Sequence, residues 1–182
     1  MSADREYRTQ TKTDKVNIIF AIRRKKENED KRNEPEIVRR EVYRDEGSIK
    51  SVLSKCNAPG TYRIYATVNA RDCKKARKLL MKKLIDDPEN WDYRIDSLWK
   101  TCLMQPQCKA EHKFLIDIDT KDINVMSEVG VYIINSDGFI FDVIETPNGF
   151  HLITSKFNTK DFTYPNVELH RDAFYFVDKV II

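Results

Sequence analysis

Residues 113–120 read Lys113-Phe114-Leu115-Ile116-Asp117-Ile118-Asp119-Thr120, an apolar run ending in two aspartates. Its length and β-branched content suit a buried strand. Side chains i and i+2 of a strand share a face, so Asp117 and Asp119 stand side by side, roughly 6–7 Å apart by strand rise. Two carboxylates so close, beside apolar neighbours, repel each other and lose hydration. A divalent cation relieves both effects, and hard Mg²⁺ or Mn²⁺ favours carboxylate oxygens. Such a pair suits phosphoryl transfer, in which two metal ions bracket the attacking and leaving oxygens. The plainer reading is a strand end whose acids face water.

Downstream, residues 145–154 read Glu-Thr-Pro-Asn-Gly-Phe-His-Leu-Ile-Thr. Pro147-Asn148-Gly149 marks a tight turn between strands at 139–145 and 150–155, with Gly149 free to take positive φ. Exposed amides at Asn148 and Gly149, with His151 just inside the returning strand, would cradle a triphosphate; the alternative is a strand histidine satisfied by a backbone carbonyl. A helix is expected at 121–129, a strand at 130–135, and a terminal hairpin at 165–182 turning near Arg171-Asp172. Arg171 and Lys156 would add positive charge.

Upstream, strands at 16–22 and 36–44 form a hairpin whose densely charged tip is either a nucleic-acid clamp or a solvated loop. A helix at 48–56 ends before the turn Asn57-Ala58-Pro59-Gly60, and a strand follows at 61–68. Asn69 or Asp72 caps a helix at 71–85, with Cys73, Ala76, Leu80 and Leu84 on one face and Lys74, Lys75, Lys78 and Lys82 on the other. That basic face would meet phosphates or simply water. A helix at 91–103 offers Trp91, Ile95, Leu98 and Trp99 to the core. The fold class is α/β in the α+β sense: a mixed or antiparallel sheet core with flanking helices. Residues 1–14 read as a flexible polar arm and 15–182 as one domain, with an N-terminal lobe at 15–110 and a motif-bearing lobe at 111–182.

The chain has 182 residues, 41% hydrophobic and 34% charged, with 32 basic against 29 acidic side chains. That balance allows a real core and argues only weakly for a polyanionic partner. No apolar run approaches the ~20 residues of a membrane span, and the first residues lack a secretory apolar core, so a cytoplasmic protein with no membrane partner is expected. Its four cysteines are then expected as reduced thiols. Cys102, Cys108 and His112, spaced C-x5-C-x3-H, with Cys56 or Cys73 as a fourth ligand, make a zinc site conceivable, against buried free thiols.

A strand bearing Asp117-x-Asp119, then a hairpin with Thr146-Pro147-Asn148-Gly149-Phe150-His151, resembles the archaeo-eukaryotic primase superfamily, which includes primase-polymerases. The likeness spans about 61–178 and implies an RRM-like catalytic core. It implies that Asp117 and Asp119 bind two Mg²⁺ or Mn²⁺ ions, and that Thr146, Asn148, Gly149, His151 and Arg171 hold the nucleotide. It brings Asn69 and Arg71 near the site. The third acid is expected at Val167-Glu168, with Asp172 the alternative; glutamate there departs from the usual pattern. The implied partners are nucleoside triphosphates, a DNA or RNA template (gripped by Lys74, Lys75 and Lys78) and replication proteins such as a helicase. The small size suits a virus- or mobile-element-borne replication gene. The same carboxylates would also serve a nuclease or phosphoesterase, and a non-catalytic nucleic-acid-binding module is a third reading.

Overall fold

Residue parity along β1 (Lys15–Arg23) sets the first sheet: Ile18 and Phe20 face one side, Ile19 and Ala21 the other, and all four are buried. A computed structural model describes residues 14–28, 36–43, 45–89 and 94–182. Trp91, the expected arm up to residue 13 and the middle of the charged tip lie outside them.

β1 pairs with β2 (Ile37–Tyr43) and β3 (Thr61–Thr67), and β3 pairs with β9 (Phe174–Ile181), giving the order β2-β1-β3-β9. A two-residue β4 (Arg71–Asp72) pairs with the start of β1. Helix α1 (Glu46–Leu53) packs on one face, with Val52 against Ile19, Tyr62 and Ile64. Helices α2 (Cys73–Asp86) and α3 (Ile95–Leu103) cover part of the other, where Cys73, Ala76, Leu98 and Cys102 meet Ile18 and Phe20.

The caps set the helix starts. Asp45 accepts from the Ser48 N–H in a capping box, so α1 begins before the expected Ser48. Asp72 accepts from the amides of Lys74 and Lys75, so α2 begins at Cys73. In α3, Leu98 is buried and Trp99 packs against the core, but Ile95 points to water.

A second antiparallel sheet has the order β6-β7-β5-β8. Its strands are β5 (Phe114–Ile118), β6 (Ile140–Glu145), β7 (Phe150–Thr154) and β8 (Val167–His170). Helix α4 (Ile123–Asn135) joins β5 to β6, and β7 inserts between them, as in a split β-α-β unit. Val129 and Ile133 of α4 pack on Ile116, Ile118 and Leu152. The link from β7 to β8 sets Phe157, Phe162 and Tyr164 around Tyr132 of α4. The α+β class is as expected, with two antiparallel sheets and four helices among the described residues. No described helix is long and apolar enough to cross a membrane.

Two expectations are corrected. Residues 130–135 are the second half of α4, not a strand. Asp122 caps the helix, accepting from the Asn124 N–H, and the buried positions Val129 and Ile133 repeat at i, i+4 while Val131 and Ile134 face water. The helical spacing of core contacts outweighs the β-branched composition. The terminal hairpin does not form: β8 pairs with β5, while β9 pairs with β3 in the other sheet. Each strand completes a different core, and the chain changes sheets near Ala173, whose carbonyl accepts from the Val68 N–H.

Candidate functional site

Strand β5 lies between β7 and β8, and the registers set Asp117 opposite both His151 and Glu168. Directly opposed residues share a face, and here it is the face turned away from α4. Leu115 and Ile153 on that face pack with Val68 and Ala173, which brings the second sheet against the β3–β9 end of the first. Between them lies a cavity of about 300 Å³. Asp117, Asp119, Thr146, Asn148, His151 and His170 line one wall, and Arg24, Lys26, Arg63, Tyr65, Phe174 and Phe176 line the other.

His151 is buried and held at both ring nitrogens. The Phe176 backbone N–H donates to Nδ1 at 3.0 Å, which leaves the ring proton on Nε2, 3.4 Å from Asp117 Oδ1. This hydrogen bond, before any other cause, holds the Asp117 carboxyl below the ordinary carboxylate range, against the opposing pull of burial. The sign follows: with its folded value depressed, Asp117 stabilises the fold above the ordinary value and loses that contribution as pH falls through the folded one. In His151→Ala, a carbon-detected NMR titration of Asp117 is expected to move up toward the ordinary range. An unmoved titration would remove His151 as the cause.

The hairpin between β6 and β7 closes on itself. The Gly149 N–H donates to Thr146 Oγ1 at 3.0 Å, and the Thr146 N–H donates to the Gly149 carbonyl at 2.9 Å. The Gly149 amide, expected to face a phosphate, is therefore already used. Nor does Gly149 take a positive φ. Its backbone presses against the end of β5, where a Cβ would run into the Ile118 carbonyl oxygen and come within 2.8 Å of both Thr120 N and O.

Glu168 shares Asp117's face but lies on edge strand β8, 74% exposed, 3.4 Å from His170 Nε2 and outside the cavity lining. Asp172 is bound bidentately by Arg71, at 2.9 and 3.1 Å. Arg71 is only 1% exposed. Asn69, wholly buried, accepts from the Lys113 N–H at 2.7 Å and donates to the Lys113 carbonyl at 3.1 Å. These three residues tie the β3–α2 connection to the starts of β5 and β9, outside the cavity lining. Arg71→Ala is expected to lower stability by about 2 kcal/mol, because it empties a buried site, whereas the exposed Asp172 left behind regains water; denaturation that matches wild type would contradict this.

Lys74, Lys75 and Lys78 are exposed on α2, away from the cavity lining, and Arg171 lines a separate pocket with Lys156. All four cysteines are buried free thiols. Cys102 and Cys108 join Cys73 in the apolar core under α2 and α3, where burial raises the Cys102 and Cys108 thiols, while His112 is exposed and lines the same separate pocket. Among the described residues no three His, Cys, Asp or Glu side chains form a group able to hold a metal.

The sequence reading missed the far wall. Arg24 and Lys26 were hidden in the charged tip. Arg63 with Tyr65, and Phe174 with Phe176, carried a readable signal, since each pair sits at i, i+2 on one strand face. No protein-family model, no curated protein and no solved structure matches the chain.

Proposed function

We propose that the chain is a metal-dependent nucleotidyltransferase of the primase-polymerase kind, working in the cleft between the two sheets. One observation carries this reading: Asp117 and Asp119 line the same cavity as three cationic side chains, Arg24, Lys26 and Arg63. An acidic wall facing a basic wall suits a metal–triphosphate ligand, whose cation and phosphates demand opposite charges.

The donor set fits Mg²⁺ or Mn²⁺, since Mg²⁺ is commonly held by one or two carboxylates and completes its shell with water and substrate phosphates. Asp117 and Asp119 are those carboxylates, with Glu168 the further acid on the same face. Bound there, the ions would promote ionisation of a 3′-hydroxyl and neutralise charge on the leaving pyrophosphate. The chain's own residues supply the rest. His151 orients Asp117 and keeps it ionised. Arg24 and Lys26 draw in the triphosphate, while Arg63, its charge paired with Glu27 at 2.6 and 2.8 Å, holds the wall beside them in place. Tyr65, Phe174 and Phe176 offer ring faces to a base. In the reaction the 3′-oxygen bonds to the α-phosphorus, the bond to the β-phosphate oxygen breaks, pyrophosphate leaves, and the hydroxyl proton passes to solvent.

A second reading, a nucleic-acid-binding module, is favoured by the pairing of Asp117 with His151 and by the lack of a three-donor group among the described residues. Incubating the protein with Mn²⁺, nucleoside triphosphates and primed or unprimed templates, then sizing the products, separates the readings. Extended strands support nucleotidyl transfer, and shortened ones mean a nuclease. Unchanged strands that stay bound after chelation mean a binding module.

A further inference from the structure

Both neighbours of β5 run antiparallel to it, so β5 begins at the end of the sheet where β7 and β8 stop. The chain just outside the sheet is basic there. Lys109 and His112 precede β5, Lys156 follows β7, and Arg171 follows β8. Together with Phe114 these four line a pocket of about 300 Å³. Phe114 alternates with Leu115 and so points to the α4 side, where it packs edge-on to Phe157. The pocket is therefore separate from the Asp117 cleft, which lies on the other face of the sheet.

Three of the four basic residues are lysine or arginine, and no acid lines the pocket. The acids nearby in sequence are committed elsewhere. Asp172, next to Arg171, is bound bidentately by Arg71, and Glu111 pairs with Lys113 at 2.9 Å. Asp72 caps α2. Lys109 is fixed by a backbone bridge to Arg71, and its Nζ donates to the Arg171 carbonyl at 3.5 Å. Like charges gathered without a counter-ion repel one another, and an anion seated among them removes that cost.

We propose that this pocket binds a phosphate group, either free inorganic phosphate or the terminal phosphate of a nucleic-acid strand. A terminal phosphate carries roughly two negative charges and three strong acceptor oxygens at neutral pH. Two ammonium heads and one guanidinium match that count, whereas a carboxylate brings one charge and two oxygens. His112 adds a ring N–H donor at the rim. The site is independent of the cleft, and it stands whether or not the cleft performs nucleotidyl transfer.

The test follows the backbone amides by NMR while inorganic phosphate is added in EDTA, with ionic strength held constant by chloride. Saturable shifts are expected at the amides of Lys109, His112, Lys156 and Arg171. Lys156→Ala/Arg171→Ala is expected to weaken this binding about 10-fold or more. Lys109 and Asn69 bond to the Arg171 carbonyl rather than to its side chain, so those contacts survive in the double variant. Lys156→Glu, a single exposed substitution, should weaken binding on its own if the double variant folds poorly. Lys74→Ala/Lys78→Ala, which removes the same charge from α2, should stay within about 2-fold of wild type. A second arm adds a short oligonucleotide with and without a 5′-phosphate. Tighter binding of the phosphorylated strand than of inorganic phosphate at these amides identifies a strand end as the source, and equal or weaker binding identifies free phosphate. Shifts that do not saturate or that fall elsewhere overturn the proposal, as does wild-type affinity in both pocket variants. An equal loss in the α2 variant also overturns it, by reducing the effect to net charge.

Discussion

Gly149→Ala is expected to lower the stability of the chain by about 3 kcal/mol, with the hairpin between β6 and β7 displaced from the end of β5. The added Cβ would meet backbone, the Ile118 carbonyl and both backbone atoms of Thr120, which cannot swing aside as the end of a side chain can. Relief therefore requires the two strands to part, and they part at the residues that set His151 opposite Asp117. Chemical denaturation is expected to show a lower midpoint with little change in slope. Asn148→Ala, one residue away and exposed, is expected to stay within about 0.5 kcal/mol of wild type. Equal stability of the two variants would contradict the account of the turn.

The second large effect is on chemistry. Asp117→Asn keeps the shape of the side chain while removing the charge that faces the cavity. Nucleotide incorporation is expected to fall by on the order of 100-fold. Stability should change much less, because Asp117 is partly exposed and the asparagine amide oxygen still accepts from His151 Nε2. Incorporation at the wild-type rate would exclude Asp117 from the reaction. A loss that tracks unfolding would make the residue structural.

How much of this was legible in the sequence depends on how far apart the interacting residues lie. β5 and the hairpin carrying His151 could be read locally, because alternation and turn chemistry are short-range. The face shared by Asp117 and Asp119 followed from strand parity alone. The hairpin at 165–182 misled because a turn signal at Arg171-Asp172 says that the chain reverses, not which strand it then joins; β9 found β3, more than a hundred residues earlier. Arg71 and Asp172 show the same limit. Each looked like a site residue alone, and only their bidentate contact, across 101 positions of sequence, gives them a structural task. Residues 130–135 misled for another reason: Val131, Ile133 and Ile134 suit a strand by composition, and the helix was betrayed only by which of them the core accepts. The basic wall of the cavity depends on two sheets meeting, which no local pattern encodes.

The central claim is that Asp117 and Asp119 form a cation site that a nucleotide completes, and calorimetric titration of Mn²⁺ tests it most directly. Wild type and Asp117→Asn/Asp119→Asn would each be titrated with and without a nucleoside triphosphate. The account expects wild type alone to give site-specific binding heat, and the nucleotide to tighten it. Identical isotherms for the two proteins, with and without nucleotide, would contradict it and leave the nucleic-acid-binding module as the function the cleft supports.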